Sequence, residues 1–316
     1  MSFTTDVKEE LAHVAPTCSR CSMAVLSGIV RTEGTLFIVG TNQYRVEIST
    51  DFSHTARLAL SLLHKEFGLE TKVIARRSVL HNTPNYLIEV VNQPNLTEAL
   101  TKLGILEQGG LCFKIPKQLL KKPCCTVSFI RGIFLGSGFI SNPKGDFHFE
   151  MTVEQQVFAE GLVELLEDQG ISSRILKRRN TTMIYIKKAS TILKFLAMTG
   201  AYNSALKMEN ERVIKSVRSD VNRQTNAEVA NQAKTVSASM TQIAAIKKVV
   251  DTYGVEKLPQ ALGEVILLRL RHKEASLKEL GELANPPLSK SAINHRMRRI
   301  EQMAAEIDEE SQQQKD

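Results

Sequence analysis

No uninterrupted apolar run approaches the roughly 18 residues that a membrane-spanning helix needs. The opening stretch Met1-Ser-Phe-Thr-Thr-Asp-Val-Lys-Glu-Glu carries acids where a secretory leader would have its apolar core. Membrane-embedded and exported proteins are thereby set aside, and the expected setting is the cytoplasm. Cysteine is scarce as well: Cys18, Cys21, Cys112, Cys124 and Cys125 are the only five in 316 residues. An odd, sparse set in a long chain argues against a disulfide framework and for reduced thiols. Cys18-Ser-Arg-Cys21 has the spacing of half a zinc site, but Cys124 and Cys125 are adjacent, and the well-spaced Cys or His partners of a four-ligand site are missing. The expectation is no metal and no cofactor, with the thiols serving as small, partly buried residues near helix starts.

What is present is an ordinary globular composition, 42% hydrophobic and 24% charged, over a length about twice that of a common domain. Two domains, or two repeats plus a module, follow, and global disorder does not. The net charge of +7 is unevenly spread. Residues 1–113 hold 10 basic and 11 acidic groups, 114–210 hold 14 and 8, 211–300 hold 16 and 9, and 301–316 hold 1 and 6. Two basic regions point to a polyanionic partner such as nucleic acid, and the acidic end reads as a solvated or disordered tail.

An internal repeat organises the first two thirds. Leu26-Ser-Gly-Ile-Val-Arg-Thr-Glu-Gly34 aligns with Ile130-Arg-Gly-Ile-Phe-Leu-Gly-Ser-Gly138 at an offset of 104, and Gly68 to Arg77 aligns with Gly170 to Arg179 at an offset of 102. Each copy reads as an apolar helix ending in glycine, alternating strands (Thr35 to Ile48; Asp146 to Val153) and an amphipathic helix (His54 to Phe67; Glu154 to Gln169). A strand pair follows (Lys72 to Arg77 with Tyr86 to Val91; Arg174 to Lys177 with Met183 to Lys187), then a closing helix (Leu96 to Leu103; Thr191 to Met198). This is an αββαββα plan, twice.

The nine-residue core resembles the LAGLIDADG motif of homing endonucleases. That resemblance implies two helices packed side by side through their glycines, two sheets forming a saddle over DNA, and an acid near each helix end holding the catalytic metal. Carried over by position, the acids fall on Glu33 and Ser137, and the earlier motif acid falls on Arg31 and Leu135. A serine hydroxyl cannot act as an anionic ligand for a hard divalent ion, and Arg31 would repel one nearby, so cleavage is not expected. Glu33 then reads as a solvated helix-end acid. The second repeat's strands carry Arg174, Lys177, Arg178, Arg179, Lys187 and Lys188, with Arg76 and Arg77 at the equivalent place in the first. These form a candidate second DNA surface, or a solvated basic edge that blocks sheet aggregation.

Between Lys207 and Asn226 the pattern turns polar and reads as a helical linker; beyond it strand signals are absent. Val236, Met240, Ile243 and Val250 mark one helix, and Leu262, Ile266 and Leu270 another that begins after Pro259. Ser276 caps a short helix with Leu277, Leu280 and Leu283 at apolar spacing, which stops at Asn285-Pro286-Pro287, and Ser289 caps a second. That is the helix-turn-helix plan. Ile293, Met297 and Ile300 define a buried stripe, opposite which lie Ser291, Asn294, His295 and Arg298, suited to base edges. Ser289, Lys290, Arg296 and Arg299 lie where they would meet phosphates, and no acid occurs from Pro286 to Ile300. A basic face on an ordinary helical hairpin is the plainer alternative.

Leu277-Lys-Glu-Leu-Gly-Glu-Leu-Ala-Asn-Pro-Pro-Leu-Ser-Lys-Ser-Ala-Ile-Asn-His-Arg296, the opening Met1-Ser-Phe-Thr-Thr and Asn222-Arg-Gln-Thr-Asn-Ala-Glu-Val-Ala-Asn231 together resemble the WhiA family of bacterial regulators over almost the whole chain. The resemblance implies a catalytically degenerate endonuclease fold that binds DNA, with roles in transcription of sporulation genes or in cell division and chromosome segregation. The expected architecture is an α+β N-terminal domain of two LAGLIDADG homing-endonuclease-like repeats (1–113 and 114–207) and a linker (208–226). An all-α domain follows (227–307, helix-turn-helix at about 276–305), then the acidic tail (308–316). The expected function is a sequence-specific, nucleoid-associated DNA-binding protein without enzyme activity. Its partners would be double-stranded DNA and a transcription or division protein met through the N-terminal domain; no membrane or small-molecule substrate is expected. The rivals are a metal-dependent DNA endonuclease and a protein-interaction scaffold with secondary DNA contact.

Overall fold

The chain opens with α1 (Phe3–Ala12), where the Ser2 hydroxyl caps the first turn by accepting from the Thr5 amide at 3.2 Å. Phe3, Val7 and Leu11, spaced by four, are buried together with Thr4 and Lys8. The first repeat follows: α2 (Ser19–Glu33), β1 (Gly34–Gly40), β2 (Gln43–Thr50), α3 (Ser53–Phe67), β3 (Lys72–Arg77), β4 (Pro84–Val90) and α4 (Leu96–Lys102). After a small hairpin of β5 (Leu106–Glu107) and β6 (Gly110–Leu111) comes the second: α5 (Pro123–Ser137), β7 (Gly138–Ile140), β8 (Phe149–Val153), α6 (Gln156–Asp168), β9 (Arg174–Lys177), β10 (Thr182–Ile186) and α7 (Ala189–Thr199). The structure is a computed structural model describing residues 2–77, 84–107, 110–179 and 181–313, with side chains described as far as residue 310. Two compact units result, Met1–Lys215 and Ser216–Asp316.

In the first unit the sheets have the orders β1-β2-β4-β3 and β7-β8-β10-β9, all neighbours antiparallel. Alternation assigns their faces. Val46, Ile48, Ile88 and Val90 of one sheet, and Phe149, Met151, Ile184 and Ile186 of the other, turn inward to the helices. The two repeats share one core because α2 and α5 lie side by side and nearly touch. A Cβ added to Gly132 would stand 2.1 Å from the Val25 carbonyl oxygen, and one added to Gly28 2.6 Å from the Ile133 nitrogen. Only glycine permits that approach. Leu26, Ile29, Phe129, Ile130 and Ile133 are fully buried along this seam.

Several elements depart from the sequence reading. α1 was not anticipated, although its apolar positions have helical spacing; it docks through Thr4 Oγ1, which donates to the Ile140 carbonyl and accepts from the Ile140 amide. The hairpin of β5 and β6 was also unforeseen, and in the second repeat the strand signal read at Asp146 to Val153 covers β8 alone, β7 lying before it. The linker read as helical at 208–226 is part of a longer helix, α8 (Tyr202–Tyr253), and the boundary between the two units, after Lys215, falls within it. Glu10 of α1 caps the start of α8, accepting from the Asn203 and Ser204 amides at 2.7 and 3.0 Å.

In the second unit, α9 (Gln260–Arg271), α10 (Leu277–Glu282) and α11 (Lys290–Gln313) complete a small helical core. Ile246 and Val249 of α8 pack with Leu262, Val265 and Ile266 of α9, Leu280 of α10 and Ile293, Met297 and Ile300 of α11. The acidic end, expected to be solvated or disordered, is exposed at residues 308–310 but helical as far as Gln313, the last described residue, with Lys248 paired to Asp308. Residues 314–316 lie outside the described residues.

Candidate nucleic-acid interface

The helix-turn-helix is fixed from both sides of its turn. Ser276 caps α10 by accepting from the Glu279 amide at 3.3 Å, while the Glu279 carboxylate accepts from the Ser276 amide at 2.6 Å. These bonds hold the Glu279 carboxyl below the usual carboxylate range. Buried Arg269 of α9 donates to the Ala275 carbonyl at 2.5 Å, tying α9 to the start of α10. Gly281 lets the turn close: a Cβ there would lie 2.3 Å from the Leu288 carbonyl oxygen, and the Leu288 amide donates to Gly281 at 2.8 Å. Ser289 then caps α11, its hydroxyl accepting from the Ala292 amide at 3.2 Å. One apolar position departs from expectation. Leu283 is the C-cap of α10 and is 49% exposed, the inward place one turn after Leu280 being taken by buried Ala284.

On α11 the buried stripe is as expected: Ile293, Met297 and Ile300 are buried. Ser291, His295 and Arg298 are exposed on the far side, and Asn294 is half-buried beside them. Ser289, Lys290 and Arg299 are exposed around this face. Arg296 is turned elsewhere, donating to the Ala261 carbonyl at 3.3 Å and lying 3.8 Å from Glu264, so α9 holds its guanidinium.

The candidate second surface is divided by strand alternation. All eight basic residues are exposed. Arg76 and Arg174, paired with Asn85 and Tyr185, lie on the outer sheet faces. Arg77 and Lys177 lie on the helix side of edge strands, where Lys177 donates to Gln156 of α6 at 3.2 Å. Arg178 and Arg179 enter the turn after β9, and Lys187 and Lys188 follow β10. The outer faces also carry acids. Arg45 stacks 4.3 Å over Phe37 and pairs with Glu47 at 3.3 Å and Glu89 at 3.6 Å, while Glu150 meets His148 at 3.0 Å.

At the ends of α2 and α5, where the family motif places its acids, the structure corrects two readings. Glu33 is not a solvated acid; burial pushes its carboxyl up to about 7 against the pull of the Lys8 ammonium. Arg31 is not the cation beside it. Its guanidinium donates to the Cys112 and Gly104 carbonyls at 2.9 and 2.5 Å and serves as a latch on the segment after α4. The neighbouring positive group is Lys8, which sequence reading passed over. Its ammonium donates to the Gly136 carbonyl at 2.6 Å, lies 3.9 Å from the Phe52 ring centre, and is lowered to about 8 by burial. Ser137 offers only a hydroxyl, directed at the Ile133 carbonyl.

The other correction concerns cysteine. The expectation that no four-ligand set exists fails, because Cys18, Cys21, Cys124 and Cys125 converge with their sulfurs within 4.8 Å of one another. Hydrogen bonding with Cys21 pulls the Cys18 thiol down to about 6, and burial pushes Cys125 up to about 12. The overlooked signal was the repeat itself: Cys21 and Cys125 share the offset of 104 that relates the two glycine-punctuated helices.

A doubled LAGLIDADG-like domain with unmatched acid positions, followed by a helix-turn-helix domain, is therefore the class of protein that fold and site define. Family models match in that order: the WhiA N-terminal LAGLIDADG-like domain over residues 19–106, the WhiA LAGLIDADG-like domain over 126–218, and the WhiA C-terminal HTH domain over 221–304. The chain is 37% identical over 306 residues to the probable cell division protein WhiA of Heliobacterium modesticaldum, covering 96% of each, and 40% identical over 309 residues to that of Carboxydothermus hydrogenoformans, covering 97% of this chain and 98% of that one. It is also similar to the crystal structure of full-length DUF199/WhiA from Thermatoga maritima, with a TM-score of 0.60 and 27% identity over 97% of this chain and 99% of that one. The chain belongs to the WhiA family. No helix among the described residues is long and apolar enough to cross a membrane.

Proposed function

We propose that this chain is a sequence-specific DNA-binding protein that reads the major groove with α11 and acts in transcription regulation and cell division, associated with the nucleoid. The observation that carries the reading is the exposed face of α11. Ser291, Asn294, His295 and Arg298 stand opposite a fully buried stripe, so the side chains that fit base edges are presented on a helix that cannot roll. Lys290, Arg299 and the Ser289 end of the helix supply phosphate contacts. Arg296 is left out of that set because α9 occupies it. The relatives are named as probable cell division proteins, and the cellular role proposed here follows them.

The N-terminal unit is assigned a non-cleaving role. In-line hydrolysis needs carboxylates to place divalent metal against both oxygens of the scissile phosphodiester. Here one acid position is Ser137, and the other, Glu33, has a buried ammonium acting on it. The outer sheet faces suit a protein partner better than a phosphate track. Their acids sit beside Arg45 and His148, and Ile38 and Val39 are 68% and 54% exposed near the turn between β1 and β2.

Selection of duplexes from a random pool by the full chain tests the reading. It should recover one motif, and Asn294→Ala with Arg298→Ala should abolish the enrichment. Equal recovery by this variant would overturn it. Incubation with supercoiled plasmid and magnesium or manganese should leave the plasmid intact; cleavage that vanished in Glu33→Gln would establish the endonuclease instead.

A further inference from the structure

The four converging cysteines were set aside by sequence spacing and have no part in DNA reading. Cys18 is the N-cap of α2 and Cys21 lies in its first turn; Cys124 and Cys125 lie in the first turn of α5. α2 and α5 run in the same direction, with Val25 beside Gly132 and Thr32 beside Gly136, so both helix N-termini meet at this cluster. The Cys18 sulfur is 3.5 Å from that of Cys21, 3.5 Å from that of Cys125 and 3.7 Å from that of Cys124. All five cysteines of the chain are free thiols.

These distances select among the chemistries open to thiols. A disulfide would hold two sulfurs at about 2.05 Å. Four thiolates around one zinc ion, at about 2.3 Å each in a tetrahedron, stand roughly 3.8 Å from one another. The three separations from the Cys18 sulfur fall beside that value, and all four sulfurs lie within 4.8 Å of one another. Hard cations such as magnesium and calcium take oxygen ligands, whereas thiolates favour zinc. Cys21 and Cys125 are buried and Cys18 and Cys124 half-buried, the closed setting of a structural rather than a catalytic centre.

Charge balance gives an independent indication. One zinc with four thiolates carries two net negative charges, which the two helix N-termini offset in part. Arg131 of α5 is 4% exposed and donates to the Ser128 hydroxyl at 2.9 Å, but its Nε and Nη1 have no hydrogen-bond partner among the described residues. Burial pulls this guanidinium below its usual range, and a negative charge at Cys21 would act against that. A buried cation left short of partners beside four thiols is accounted for by an anionic thiolate centre.

We propose that Cys18, Cys21, Cys124 and Cys125 bind one zinc ion that clips together the N-terminal ends of the two repeats' central helices. The ion would join segments about a hundred residues apart, closing a long loop and holding the shared core at the end opposite Glu33 and Ser137.

Elemental analysis of full-length protein purified under reducing conditions without chelator should find one zinc per chain. Cobalt added to chelator-stripped wild type should give thiolate charge-transfer absorption and the intense visible bands of a tetrahedral site at one equivalent. Cys112→Ser should keep both signals; Cys124→Ser with Cys125→Ser should lose both. A third arm relies on no variant: zinc should protect four thiols of the wild type from alkylation and leave Cys112 reactive. The proposal is overturned by wild-type protein that carries no zinc and gives no thiolate–cobalt spectrum. Metal retained in the double variant, or a disulfide among these four cysteines in freshly purified protein, would overturn it equally.

Discussion

Replacing Gly132 by alanine is the most direct perturbation of the shared core. The new Cβ would lie 2.1 Å from the Val25 carbonyl oxygen and 2.9 Å from its carbon, where ordinary contact begins near 3.4 Å. The obstructing atoms are backbone, so no side-chain rotation relieves the clash, and α2 and α5 must part by about 1 Å in a core otherwise packed to crystal-like density. That movement loosens Leu26, Ile29, Phe129 and Ile133, all fully buried. Overpacking of this kind costs about 1–3 kcal/mol, and a backbone clash belongs at the upper end. Urea unfolding of the full chain followed by tyrosine fluorescence measures it, since there is no tryptophan and four of the five tyrosines, Tyr44, Tyr86, Tyr185 and Tyr202, fall in the first unit. Gly145→Ala is the control, because a Cβ there meets nothing nearer than 3.6 Å. A Gly132→Ala transition within about 0.5 kcal/mol of wild type, the range of an inert surface change, would refute the shared core.

Three further outcomes follow from the site geometry. The folded chain holds on Glu33 a proton that the unfolded chain releases, so this group's contribution is greatest on the acid side and declines as pH rises from about 4.5 to about 7. Lys8→Met raises the Glu33 pKa further; thermal melts should show a larger loss at pH 8 than at pH 5, by at most about 1.4 kcal/mol, since only about one unit separates the wild-type pKa from pH 8. Gly281→Ala, whose Cβ would strike the Leu288 carbonyl at 2.3 Å, should tilt α11 and weaken DNA binding about tenfold by mobility shift, roughly 1.4 kcal/mol. Arg296→Ala should leave the salt slope of DNA binding unchanged, because Glu264 and the Ala261 carbonyl hold its guanidinium.

Where local pattern decided structure, the sequence was a sufficient guide. β9 occupies Arg174–Lys177 as its alternation implies, and the stripe of Ile293, Met297 and Ile300 is buried because helical periodicity leaves it no other place. Readings failed where chain-distant residues meet. Lys8 acts on Glu33 only because α1 folds back on the second repeat. The cysteine cluster needs α2 and α5 side by side, which the repeat offset implied and the spacing of each pair alone did not. Arg76 and Arg77 are neighbours in sequence but face opposite sides of the sheet, so a run of basic residues on a strand is not one surface.

The central claim is that α11 chooses the DNA sequence. It is tested most directly by comparing wild type, Arg298→Ala and Lys290→Ala for binding to the selected motif and to a scrambled duplex across a salt series. Arg298→Ala should narrow the ratio of specific to non-specific affinity by about 1–3 kcal/mol. Lys290→Ala should preserve that ratio and reduce the salt slope by about one. An unchanged ratio in Arg298→Ala, with motif preference intact, would contradict the assignment of α11 as the reading helix.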